Sequence, residues 1–192
     1  MTDVKIIEEP ISILPEYGRI PISFEVQSIL DIQLIDGGFQ GFRFSEKRIE
    51  PSWIKDYDAY EDQGPERWAR RWDISSWAVI SAFMDGNRIG GCVIAFDTPG
   101  VDKLEGRNDI AALWDLRVEP KCRRQGLGGH LVEAAIAWAR QHRCTMLKIE
   151  TQNINVPACR LYAKHGFVLG AMNRYAYREL PDESELIWCK EL

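Results

Sequence analysis

The sequence lacks the features that mark several large classes of protein. Among its 192 residues there is no Cys-x-x-Cys pair, and its three histidines have no metal-ligand spacing. No apolar run approaches the roughly 20 residues that a membrane-spanning helix needs. Basic residues do not dominate, because 24 Lys and Arg against 29 Asp and Glu give a net charge of -5. We therefore expect no metal site, no membrane segment and no nucleic-acid partner.

Targeting and oxidation signals are also missing. The first ten residues contain no basic stretch followed by a long apolar core, so we expect a cytoplasmic protein. The cysteines are odd in number, which favours reduced thiols over a disulfide framework; they are Cys92, Cys122, Cys144, Cys159 and Cys189.

Length and composition predict one folded domain over residues 1–192. Hydrophobic residues make up 45% of the chain and charged residues 28%, which is ordinary for a globular protein and unlike a disordered one. A chain of this length can bury a substantial core but is short for two domains.

The order of predicted elements indicates an α/β fold. Residues 77–84 and 88–96 are β-rich runs joined by Asp85-Gly86-Asn87, the clearest hairpin signal in the chain. Residues 127–142 and 156–165 have helical patterns. Further strands are predicted at residues 29–35 with a partner at 41–48, at 110–118, 146–151 and 167–171, around Tyr175 and Tyr177, and at 186–189. This order favours a mixed, largely antiparallel sheet flanked by helices.

Within the strand at 110–118, alternation places Trp114, Leu116 and Val118 on one face and Asp115 and Arg117 on the other. Such an arrangement would put a carboxylate and a guanidinium side by side on the face that the neighbouring apolar side chains leave free.

The segment 53–72 is rich in acidic and aromatic residues. It predicts a solvated loop and short helix pinned by its aromatics, or a wall that contacts the substrate. In the second case the clustered carboxylates of Asp56, Asp58 and Asp62 would attract a cationic acceptor in a salt-dependent way.

A glycine-rich junction follows the strand at 110–118. Gly126, Gly128 and Gly129 let backbone amides approach a ligand, and Arg123 and Arg124 add positive charge. The helix that follows directs the positive end of its dipole into the loop. The spacing is neither that of the nucleotide-triphosphate loop nor that of the dinucleotide motif. The junction predicts a pyrophosphate site, or else a tight turn with solvated arginines.

Two segments resemble the GNAT acyltransferase superfamily. Arg123-x-x-Gly126-x-Gly128 is similar to its acetyl-CoA pyrophosphate loop. Downstream, the chain resembles the superfamily pattern Asn-x-x-Ala-x-x-Leu-Tyr-x-Lys-x-Gly-Phe, with Asn155 at its start and Phe167 at its end. The order and separation of the two segments also fit. The resemblance implies a GNAT fold with an acetyl-CoA-binding core at about residues 110–171.

The resemblance implies a cofactor site made mostly of backbone groups. Backbone groups of Leu116, Arg117 and Val118 would contact the pantetheine arm, and one amide there would face the thioester oxygen. Asn155 would reach the cofactor near the thioester, or would only cap its helix. The pyrophosphate would be held by the amides of Arg123, Arg124, Gln125, Gly126, Leu127, Gly128 and Gly129.

Direct acyl transfer from a thioester to an amine needs a proton donor for the departing thiolate and a group that receives the amine proton. Tyr162 matches the leaving-group tyrosine of the superfamily, although it could also be a core tyrosine. Asp115 is the candidate base or ammonium ligand. Glu150 and water are alternatives, and either carboxylate could instead pair with Arg117 or Lys148.

A narrower resemblance concerns the acceptor. Residues 150–167, the run at 39–44 and the tail containing Trp188 look like the streptothricin acetyltransferases, which acetylate the β-lysine moiety of a cationic antibiotic. The resemblance implies acetyl-CoA and a streptothricin-like amine as partners, and it is compatible with a homodimer. A GNAT enzyme for a protein amine or another small amine, and a non-catalytic acyl-CoA-binding module, are the alternatives.

Overall fold

The structure, a computed structural model, describes residues 4–60 and 64–192. Within these residues three α-helices are present: α1 (Leu14–Tyr17), α2 (Leu127–Gln141) and α3 (Val156–Lys164). The strands are β1 (Val4–Glu9), β2 (Phe24–Leu34), β3 (Phe42–Lys55), β4 (Ala78–Met84), β5 (Asn87–Phe96), β6 (Ile110–Val118), β7 (Met146–Gln152), β8 (Val168–Asn173) and β9 (Glu185–Glu191).

Seven strands form the main sheet, in the order β1-β4-β5-β6-β7-β9-β8. Neighbouring strands are antiparallel except for β6 and β7, which are parallel and connected through α2. The predicted α/β fold with a largely antiparallel sheet is therefore confirmed. None of the helices in the described residues has both the length and the apolar character that a membrane crossing requires.

The two faces of the sheet carry two separate cores. Helix α2 covers one face with the predicted stripe, since Leu127, Leu131, Ala135 and Trp138 are all buried. The opposite face is covered by α1 and by the 3-10 helix Pro65–Arg70, and it contains Tyr17 and several tryptophans. The cleft described below lies between these two layers.

A bulge in β6 changes which side chains share a face. Asp115 pairs with Val93 while Leu113 pairs with Ile94, so Trp114 is an extra residue without a partner on β5. Trp114 therefore lies on the same face as Asp115 and packs among Trp68, Trp72 and Trp77. The expectation that Trp114 shares a face with Leu116 and Val118 is wrong, because strict alternation does not survive the bulge.

The second sheet is the hairpin β2–β3. Its two predicted strands are confirmed, but both extend further, to Phe24–Leu34 and Phe42–Lys55. The Leu30 N–H donates to the Asn153 carbonyl at 2.9 Å, and the Asn153 amide returns a bond to the Leu30 carbonyl at 3.1 Å. The hairpin is thereby attached to the turn between β7 and α3.

Two further predictions, for the segment 53–72 and for the region around Tyr175 and Tyr177, can be compared with the structure. The short helix predicted in 53–72 is present, although residues 53–55 continue β3, and Asp62 lies outside the described residues. The strand predicted around Tyr175 and Tyr177 is wrong, because both residues lie in the loop between β8 and β9. There the Tyr177 hydroxyl bonds to side chains of β7 instead of extending a strand.

Candidate active site

The parallel strands β6 and β7 separate part way along their length. Pairing runs from Ile110 with Met146 to Leu113 with Ile149 and then stops, although both strands continue. The Glu119 N–H donates to the Ile89 carbonyl of β5, away from the gap between β6 and β7. Because backbone groups alternate in direction along a strand, those of Leu116 and Val118 face the gap. The gap is thus an open cleft lined on one side by backbone donors and acceptors.

The loop before α2 presents a row of unpaired amides. The Cys122 and Arg123 amides bond within the preceding turn, and those of Gly129 and His130 bond to the Gly126 carbonyl. Between them, the backbone N–H groups of residues 124–128 have no acceptor among the described residues. These amides sit at the N-terminus of a 15-residue helix, where the dipole adds positive potential. The loop is suited to bind a phosphate group.

The three glycines of the loop serve different purposes. Gly126 has a φ of 90°, which side-chain-bearing residues rarely adopt. A Cβ at Gly129 would lie 2.9 Å from Nε2 of His165, so this glycine allows α2 and α3 to pack closely. A Cβ at Gly128 would meet Leu161 at an ordinary 3.4 Å. The protein therefore tolerates a methyl group at Gly128, and a larger side chain there would extend over the amide row.

The side chain of Arg123 does not face the amide row as expected. Its guanidinium donates to the Val118 carbonyl at 2.8 Å, to Ser23 at 2.7 Å and to Pro21 at 2.9 Å. Burial lowers its pKa. Arg123 thus fastens the loop to the segment before β2, while Arg124 stays exposed. The expected contribution of Arg123 to the anion site is therefore corrected to a structural one, since its amide also donates within the protein, to the Pro120 carbonyl at 3.3 Å.

Tyr162 lies in the core beneath the cleft. It is 7% exposed and packs near Phe167. No described residue accepts a hydrogen bond from its hydroxyl or donates one to it. Burial raises its pKa well above the usual value, and the nearby Cys159 and Asp115 raise it further. The hydroxyl therefore keeps its proton and has it free to donate.

Asn155 begins α3, where its Oδ1 accepts the Ala158 N–H at 3.2 Å. The capping role left open by the sequence is thus present. The cap and Pro157 in the first turn explain why the helix starts here and brings Tyr162 to the cleft.

Asp115 belongs to a buried charge network. Its carboxylate accepts bonds from the Tyr17 hydroxyl and from Arg117, whose Nε lies 2.9 Å from Oδ1 and whose Nη2 lies 3.0 Å from Oδ2. Arg117 also bonds to Asp58 at 2.5 and 2.8 Å and to the Ile20 carbonyl at 3.0 Å. Of the alternatives left open by the sequence, pairing of Asp115 with Arg117 is present. Its role as base stays a prediction.

Glu150 is the more accessible carboxylate. Its side chain is 30% exposed, compared with 5% for Asp115. The Tyr177 hydroxyl donates to it at 2.5 Å, and Lys103 lies 3.0 Å from its other oxygen. Since Ile149 points into the α2 core, Glu150 faces the opposite side of the sheet, which is also the side of Asp115.

Sequence reasoning missed the partners that connect distant segments. Tyr17 comes from a proline-broken region with no clear pattern, and 98 residues separate it from Asp115. Lys55 is buried against Glu183, with Tyr57 bonded to the same carboxylate at 2.9 Å. The Lys55 ammonium also lies 5.0 Å from the centre of the Tyr60 ring. A buried lysine at a strand end gives no local signal of such a partner.

The described residues contain no group of three or more His, Cys, Asp or Glu side chains arranged to hold a metal ion. All five cysteines are free thiols, and four of them are buried.

Comparison with curated proteins finds streptothricin acetyltransferases. The Escherichia coli enzyme is 29% identical over 185 residues, covering 93% of each chain. Streptothricin acetyltransferase A of Bacillus subtilis (strain 168) is 38% identical over 79 residues, covering 41% of this chain and 46% of that one.

Comparison with solved structures shows the same fold. Nourseothricin acetyltransferase superimposes with a TM-score of 0.76 at 21% identity, covering 99% of both chains. A Bacillus anthracis protein solved in complex with acetyl coenzyme A gives a TM-score of 0.74 at 24% identity, covering 99% of this chain and 100% of that one. The model of the Acetyltransferase (GNAT) family matches residues 44–167, which is more than half of the chain. The chain therefore belongs to the GNAT family of acetyltransferases.

Proposed function

We propose that the protein transfers the acetyl group of acetyl-CoA to an amine of streptothricin, and thereby gives resistance to this antibiotic. Use of acetyl-CoA as the acetyl donor is inferred from the row of free amides at residues 124–128 beside the open cleft. The choice of streptothricin as the acceptor rests on similarity to the Escherichia coli streptothricin acetyltransferase along nearly the whole of both chains. Acetylation converts an ammonium group to a neutral amide, so it removes a charge from a cationic drug.

The donor site is assigned as follows. The amides of residues 124–128 hold the pyrophosphate, together with the positive end of α2. Backbone groups of Leu116 and the N–H of Val118 pair with the pantetheine arm in the way a neighbouring strand would, and Arg117 lies between them; the Val118 carbonyl already accepts a bond from Arg123. An amide at this edge also stabilises the oxyanion of the tetrahedral intermediate. Asn155 positions α3 at the thioester end of the cleft.

Tyr162 is assigned as the acid that protonates the departing thiolate. Its hydroxyl is protonated and has no competing protein acceptor among the described residues. Proton transfer from this phenol to a thiolate, whose conjugate acid has a pKa of about 8.5, is uphill, and the raised pKa of Tyr162 makes it more so. Release of the products then completes the step. Phe167 and the α2 core hold the ring in place.

The amine proton has two candidate receivers on the same side of the sheet. Asp115 was expected from the sequence, but both of its oxygens already accept bonds, so it acts on the amine through its charge or through a water. Both oxygens of Glu150 are also bonded, to Tyr177 and Lys103, but its side chain is 30% exposed compared with 5% for Asp115, so an ammonium group can reach it directly. We assign direct contact to Glu150 and electrostatic support to Asp115. We also propose a cytoplasmic location, while a homodimer stays a prediction.

The test is an acceptor panel. The protein is incubated with acetyl-CoA and with streptothricin, small amines or peptide amines in turn, while free thiol is followed. We expect thiol release with streptothricin at a rate well above that with the other acceptors. Release with another small amine or a peptide instead would reassign the acceptor. Tight binding of CoA without turnover of any amine would indicate a non-catalytic acyl-CoA-binding module.

A further inference from the structure

A cavity of about 280 Å³ lies between the hairpin β2–β3, the turn from β7 to α3 and the loop from β8 to β9. Five of its lining residues are apolar and three are acidic, and none is basic. They are Ile29, Trp53, Ile154, Leu180, Pro181, Glu179, Asp182 and Glu183. An apolar wall with carboxylates is the composition that binds a cationic group carried on a hydrocarbon stem.

Two of the three carboxylates are uncompensated. Glu183 is neutralised by Lys55, whereas Glu179 and Asp182 have no ion-pair or hydrogen-bond partner for their side chains among the described residues. The larger cavity of about 400 Å³ over β7 and β9 is lined by three basic side chains and two carboxylates, of which Asp102 also has no side-chain partner among the described residues. There Lys148 pairs with Glu105 at 2.6 Å, and other lining cations are also paired. The smaller cavity therefore differs in having three lining carboxylates and no lining cation.

Trp53 supplies an open aromatic surface at the same place. It is 42% exposed, and within residues 4–60 and 64–192 no other ring stacks on it or meets it edge-on. Other tryptophans, such as Trp72 and Trp77, are in contact with each other. An indole face next to free carboxylates attracts ammonium and guanidinium groups more than neutral ones.

The cavity lies beside the start of α3, the helix that carries Tyr162. Its floor, Ile154, is 3% exposed and directly precedes Asn155, the cap of the helix that carries Tyr162. Asn153 bonds to Leu30 of the hairpin, and its Oδ1 accepts the Ser184 N–H at 2.8 Å. The buried side chain of Asn153 thus joins the hairpin, the turn before α3 and the loop before β9, which form the three walls of the cavity.

We propose that this cavity is a second cation subsite, which binds a distant ammonium or guanidinium group of the acceptor while the reacting amine lies in the cleft. The proposal rests on the proposed function, because it concerns the same acceptor. It explains selection for a molecule with at least two cationic groups, since a monoamine could occupy the cleft or the cavity but not both. The subsite contributes to acceptor binding and leaves the donor site and the chemistry unchanged.

The test compares three proteins with streptothricin as the acceptor. The double variant Glu179→Gln/Asp182→Asn removes the two free charges. The matched control Asp85→Asn/Glu191→Gln removes two exposed carboxylates on other parts of the surface. We expect the double variant to raise the KM for streptothricin about tenfold, because it loses two exposed charge contacts beside the cation–π contact with Trp53. Its kcat and its acetyl-CoA KM should not change. The control should stay within about twofold.

Trp53→Leu provides a second measurement that does not depend on charge. It should also raise the streptothricin KM, by about threefold to tenfold, without lowering Tm by more than a few degrees. An unchanged streptothricin KM in both the double variant and Trp53→Leu would overturn the proposed subsite. An equal rise of the KM in the control would also overturn it, because it would indicate long-range electrostatics. A change of elution volume in the pocket variants would show instead that a second copy covers this face. Absence of thiol release by the wild-type protein with streptothricin would refute the proposed function itself.

Discussion

The two sides of the cleft are constructed differently. The donor side uses backbone groups from one short stretch, residues 116–128, so its geometry follows from a strand, a turn and a helix N-terminus. The acceptor side uses side chains from distant segments: Tyr17 and Arg117 bond to Asp115, and Arg117 also bonds to Asp58. A site made of amides tolerates most side-chain changes outside its glycines. A site made of buried charges depends on every member, because each removal leaves another charge uncompensated.

The largest effect should come from the acceptor side, as a loss of stability. Arg117→Met leaves Asp115 and Asp58 without their cation, so the free energy of unfolding should fall by about 3–5 kcal/mol. Urea denaturation measures it. Arg140→Met, at an exposed position of α2, is the matched control and should change stability by less than about 0.5 kcal/mol. A loss below about 1 kcal/mol for Arg117→Met would show that the two sides differ less than their construction suggests.

Tyr162→Phe tests the chemistry at the point where the two sides meet. The change keeps the ring packing and removes the hydroxyl, so kcat should fall by about a hundredfold, while acetyl-CoA affinity stays the same. Because burial raises the pKa of Tyr162, the wild-type kcat should show no loss from tyrosine ionisation up to about pH 10. Tyr175→Phe, at an exposed tyrosine, is the control. A near-normal kcat, without a pre-steady-state burst, would remove Tyr162 from the mechanism.

The two carboxylates of the acceptor side should differ in pH dependence. Glu150→Gln should lower kcat/KM for the acceptor about thirtyfold below the pKa of the amine, with partial recovery as pH rises and more amine is neutral. Asp115→Asn should lower stability and activity together, with little change in the shape of the pH profile, because Asp115 is buried against Arg117 and cannot contact the amine directly. The reverse pattern would return the role of base to Asp115. Unaltered profiles in both variants would leave the proton to water.

On the donor side, Gly128→Val should weaken acetyl-CoA binding about tenfold or more without unfolding the protein, because a branched side chain would cover the free amides. Calorimetry measures the affinity, and circular dichroism checks the fold. Ala137→Val adds the same branching at an exposed position of the same helix and should leave the affinity unchanged. Full affinity in a folded Gly128→Val protein would exclude this loop as the pyrophosphate site.

The smallest effect concerns the acidic segment, where the structure separates residues that the sequence grouped together. Asp58 is bonded to Arg117, whereas Asp56 is exposed and, among the described residues, accepts only the Asp58 N–H, at 3.0 Å. Asp56→Asn preserves this bond and removes the charge. The streptothricin KM should rise about twofold at low salt, and the difference should vanish above about 0.5 M salt. A KM independent of both the substitution and salt would show that Asp56 is only solvated.

The same contrast explains what the sequence could predict. The glycine loop at residues 123–129 and the helix after it follow from local spacing, and the largely antiparallel sheet follows from element order. The segment containing Tyr162 is identified by its resemblance to the GNAT superfamily. The bulge at Trp114 could not be predicted, since it depends on the register with β5. Nor could the contact of Tyr17 with Asp115, because no rule of spacing joins residues so far apart.

The separation of β6 from β7 also has a consequence for how the molecule opens. In the described part of the chain, four residue pairs are all the strand pairing that joins β1, β4, β5 and β6 to β7, β9 and β8. Because so few hydrogen bonds cross this boundary, we expect the sheet to open more readily here than between its other strands, although the α2 core packs against both parts. A ligand that pairs with both edges closes this boundary. Substrate binding therefore slows amide hydrogen exchange at residues 146–152, far from the pyrophosphate, as well as in the loop itself.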